Sequence, residues 1–72
     1  MGNIILLYKT VKEVEKIFAS PALSMLYMLE YNKEMGYEFG DVRAVTDEKE
    51  NDKFSKWLAD KVYREIETNT YR

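Results

Sequence analysis

The sequence predicts a mainly α-helical fold: one small domain over residues 1–72, built from three helices at about 11–19, 21–35 and 47–68. Two observations carry this. Ser20-Pro21 and Met35-Gly36 bracket a long apolar segment with the residues that start and stop helices, and Phe54, Leu58, Val62 and Ile66 recur every fourth residue.

In the first helix, Leu7, Val11, Val14 and Phe18 follow one another at steps of four, three and four. Thr10 with Glu13 matches a capping box, which favours a start near Val11. The aliphatic run at 3–9 reads as a buried strand or as earlier helical turns. The second helix is better bounded. Serine is a favoured N-cap, proline suits the first helical position, and glycine ends helices in the left-handed conformation. Between the second and third helices, Tyr37 and Phe39 alternate with Glu38, and Gly40-Asp41 suits a two-residue loop. That stretch, 37–45, reads as a short β-hairpin or as an irregular loop. The acids Asp47, Glu48, Glu50 and Asp52 then sit where the dipole of the last helix favours negative charge.

Seventy-two residues lie near the lower limit for one hydrophobic core, and such scaffolds usually need disulfides, a metal or association. With no cysteine and no histidine, disulfides, thiolate sites and the commonest zinc ligand and general base are all excluded. No phosphate-binding glycine loop or nucleophile elbow occurs either. A non-catalytic protein without cofactor or metal is expected, since the acids at 47–52 lack the glycine and terminal glutamate of an EF-hand loop. The apolar start Ile4–Tyr8 is too short for a membrane span, so no membrane partner and a cytoplasmic location are expected.

Charge is uneven. Residues 30–52 hold eight acids against three bases, whereas residues 53–72 hold five bases against three acids. On the last helix Lys53, Lys56, Trp57, Lys61 and Arg64 place cations beside an aromatic ring, a pattern that suits contact with phosphates and bases. On the second helix, Ala22, Met25, Leu26, Met28, Leu29 and Met35 form one broad arc suited to the core. Leu23, Tyr27 and Tyr31 form a second ridge, flanked by Glu30 and Glu34. A single core face cannot absorb both. Tyrosine buries large area while keeping a polar tip, so the ridge is read as a protein interface.

The order of elements resembles the winged helix-turn-helix family over Thr10 to Ile66. "VEKIFAS" stands for the first helix, "SPALSMLYMLEYNKEMGYEF" for a recognition helix running into a wing, and "VRAVTDE" then "FSKWLADKV" for the last helix. The resemblance implies a dimeric duplex-DNA binder with the second helix in the major groove. The chain departs from that pattern: the recognition helix offers Ser24, Tyr27, Asn32 and Lys33 but no arginine, and carries Glu30 and Glu34. The preferred expectation is therefore an interaction module, a regulator or inhibitor of the kind phages and mobile elements encode, forming a homodimer or binding another protein. A winged-helix DNA-binding regulator is the alternative.

Overall fold

The computed structural model describes residues 3–70. It contains α1 (Asn3–Ala19), α2 (Pro21–Met35), a short α3 (Arg43–Thr46) and a long α4 (Glu48–Thr70). At 1.5 Å per residue, α4 is about 35 Å long, and the whole molecule measures 38 × 21 × 20 Å. The last helix is the spine on which the other three pack.

The stretch left open at the start is helical from Asn3. Thr10 does not cap a helix. Its hydroxyl donates to the Leu6 carbonyl at 2.7 Å, the back-bonding that a threonine inside a helix makes. One residue, Ser20, turns the chain into α2. Its backbone is extended, its Oγ accepts from the Leu23 amide at 3.3 Å, and Pro21 follows at the first helical position. The Ser24 hydroxyl reaches back to the Ile17 carbonyl at 2.7 Å and braces the corner.

At the far end of α2, Gly36 is left-handed at φ 77°. The Gly36 amide donates to the Lys33 carbonyl and the Tyr37 amide to the Asn32 carbonyl, the paired bonds of a Schellman motif.

Of the two readings of 37–45, the short β-hairpin does not form, and no strand occurs among the described residues. Two local competitors explain this. Buried Asn32 donates its Nδ2 to the Asp41 carbonyl at 2.8 Å and to the Phe39 carbonyl at 3.3 Å, taking acceptors that a ladder would need. The backbone from Val42 then closes into the helical turn α3, whose Ala44 carbonyl accepts from Asn51 Nδ2 at 2.9 Å. Without strands there is no wing, and the winged-helix topology is not the one this chain adopts. Asp47 caps α4, accepting from the Glu50 amide at 2.9 Å.

The core forms two groups joined along α4. Met28, Tyr31, Ala44 and Phe54 make the first, with Trp57 against it; Ile17, Leu58 and Val62 make the second, with Val14, Leu23 and Ile66 around it. Phe54 sits at the crossing of three rings. Phe18 and Tyr31 meet it edge-on at centroid distances of 6.1 and 5.2 Å, and Trp57 stacks on it at 6.0 Å.

Candidate functional site

The two faces of α2 are exchanged relative to the sequence expectation. The ridge assigned to a partner packs inward on α4: Tyr31 is 1% exposed, while Leu23 and Tyr27 are half-buried. Much of the arc assigned to the core faces solvent, Met25 at 59% and Leu26 at 61%, with Ala22 and Met35 also exposed. Met28 and Leu29 of that arc remain against the core.

Glu50 supplies the reason. This residue of the acidic run at the start of α4 turns inward, and its Oε2 accepts from Tyr31 Oη at 2.6 Å and Tyr37 Oη at 2.9 Å. A buried carboxylate satisfies tyrosine hydroxyls as no methionine arc could use it, so the tyrosine ridge gains a polar partner on burial. Arg43 covers the outer face of the Tyr37 ring at 4.1 Å and pairs with Asp41 at 2.8 Å. The flanking acids also work within the chain. Glu30 pairs with Lys61 at 3.1 Å and Glu34 accepts from Trp57 Nε1 at 3.3 Å, both tying α2 to α4.

This cluster sets a pH window for stability. The Tyr31 hydrogen bond, with that of Tyr37, holds the Glu50 carboxyl below the usual glutamate range against the opposing effect of burial. Burial, followed by the hydrogen bond to Glu50, pushes the Tyr31 hydroxyl well above the usual tyrosine range. A depressed carboxyl stabilises the fold above its unfolded value of about 4.3, and that contribution is lost as pH falls through the folded value. A raised tyrosine stabilises below about 10, and its contribution is lost as pH rises beyond. Denaturant unfolding across pH should therefore give a plateau that falls away on both sides. Glu50→Gln should lower the plateau and shallow the acid limb; an acid limb identical to that of the parent would assign it to other carboxylates, of which Asp41, held low by Arg43, is one.

The residues considered for nucleic acid are also engaged. Lys56 pairs with Asp52 at 3.1 Å, Arg64 with Asp60 at 3.2 Å, and Lys61 lies over the Trp57 ring at 5.4 Å as well as on Glu30. Trp57 is half-buried, with its ring stacked on Phe54 at 6.0 Å and meeting Tyr31 edge-on at 5.4 Å. Lys53 is exposed.

What remains open is apolar. In α1, Ile4, Ile5, Leu7, Tyr8 and Val11 are all exposed, Ile4 at 80%, and Phe18 is 41% exposed further along the helix. On another side, Leu26, Leu29, Tyr37 and Phe39 line an open hollow of ≈ 390 Å³ rimmed by Glu30 and Lys33. Phe39 is 76% exposed there. Sequence reasoning misses the α1 group because the run at 3–9 reads as strand or as helix. The signal was present: Ile4 stands three residues before Leu7 and extends the same periodic set.

No group of three or more acidic side chains among the described residues is arranged to hold a metal ion, and none of the described helices is long and apolar enough to cross a membrane. No protein-family model matches this chain, and neither does any curated protein or solved structure.

Proposed function

We propose that this protein is a non-catalytic interaction module that works by covering its exposed apolar surface against protein, in the first place against a second copy of itself. The observation that supports this reading is an excess of surface. The chain exposes 5515 Å², whereas a compact monomer of its mass exposes about 4,700 Å². That excess approaches the roughly 800 Å² that each partner contributes to a standard protein interface. Large aliphatic and aromatic side chains stand exposed on α1, on the outer side of α2 and in the loop after it. A regulator or inhibitor, acting by contact alone, is the role this reading proposes.

An apolar-surface dye tests this reading. At low protein concentration the folded chain should bind such a dye, and binding should decline as concentration rises and the surface is covered. A folded chain that binds no dye and stays monomeric at every concentration would contradict the proposal.

A further inference from the structure

Resting on the reading above, we infer that the second copy docks on α1, along a helix–helix seam formed by Ile4, Leu7, Val11 and Phe18. With Val14, these residues recur at steps of three, four, three and four, the a/d spacing of a coiled coil. Ile4, Val11 and Phe18 occupy the a positions and Leu7 and Val14 the d positions. The first heptad, with β-branched Ile4 at a and Leu7 at d, has the pairing that favours two strands in parallel dimers.

Over the first turns, at Ile4, Leu7 and Val11, the seam lies apart from the face that α1 already uses. Leu6, Thr10 and Ile17 are the buried residues of α1, and they form a separate row beside the seam. Val14 and Phe18 mark where the two rows approach each other: Val14 packs on the inner core and Phe18 touches Phe54 with one edge. The first turns, where Ile4, Leu7 and Val11 stand most exposed, have no covering element. α1 is thus a helix half used.

Charge placement agrees with a helix as occupant. No charged residue lies in the seam. Lys9 and Lys16 fall at the f positions, on the side opposite the seam, and Lys12 at a b position, where it lies over the Tyr8 ring at 5.7 Å. Tyr8 and Glu15 flank the seam at e, a tyrosine and a carboxylate able to keep their polar ends in water. A self-complementary seam needs one surface patch, used twice about a two-fold axis.

Sedimentation equilibrium on matched variants tests the assignment. The parent chain and Leu26→Glu/Phe39→Glu should sediment at twice 8.6 kDa, while Leu7→Glu/Val11→Glu should weaken association by about 100-fold or more, because each carboxylate would lose water in the seam. Circular dichroism should show helicity retained, as neither Leu7 nor Val11 is in the core. Should that pair unfold, Ile4→Lys/Leu7→Lys changes only the first turns and should dissociate the dimer with the fold intact. Dissociation by Leu26→Glu/Phe39→Glu but not by the α1 variants would overturn the seam and leave the interaction reading standing. A parent chain that is monomeric yet binds the apolar dye would likewise overturn self-pairing and point to a different protein as occupant.

Discussion

Phe54→Ala should be the most destabilising single truncation in the chain, removing a large share of its stability. Phe54 has no exposure, and its ring is the one that α1, α2 and α4 share through Phe18, Tyr31 and Trp57. Truncating a buried phenylalanine costs about 3–5 kcal/mol, transfer and cavity together. A domain of this length has roughly 4–11 kcal/mol to lose, so the change removes a large share of the total. Phe39→Ala is the matched control: the same chemical change at an exposed ring should alter stability by less than about 0.5 kcal/mol. Urea unfolding followed by circular dichroism separates the two. Equal effects would mean that the aromatic crossing is not what joins the helices.

The second large effect is expected at Asn32, a fully buried amide whose one nitrogen holds two carbonyls of the 37–42 loop. Asn32→Ala should cost about 1–3 kcal/mol, since the Asp41 and Phe39 carbonyls lose their donor. Asn32→Asp should cost more, because it turns a carboxylate toward those same two carbonyls with nearly the same shape. Both variants should release the loop that carries Tyr37 and Arg43 over Glu50, so cleavage by a protease after residues 37–42 should accelerate before global unfolding. An Asp variant as stable as the parent would show that the amide donor does not hold the loop.

How far the fold was legible follows from the range of the interactions that set it. The ends of α2 were readable because Ser20, Pro21 and Gly36 act on backbone groups within a few residues. The spine of α4 was readable because Phe54, Leu58, Val62 and Ile66 share one periodic stripe. Which face of α2 turns inward was not readable, because it is decided by Glu50, nineteen residues beyond Tyr31 in sequence. An acid near a helix start is ordinarily a solvated charge that complements the dipole; here one of four is the acceptor for two tyrosines. The loop misled for a similar reason. Tyr37, Glu38 and Phe39 alternate as a strand would, but Asn32 on the preceding helix takes the carbonyls. The candidate site followed these errors: once the tyrosine ridge is inside, the free apolar surface lies on α1 and on the outer side of α2.

Self-association is the property on which the proposed function and the α1 seam both rest. Sedimentation equilibrium of the unmodified protein over a wide dilution series tests it most directly. The mass should be twice 8.6 kDa at high concentration and fall toward the single-chain mass on dilution. A single-chain mass maintained across the whole series would contradict it.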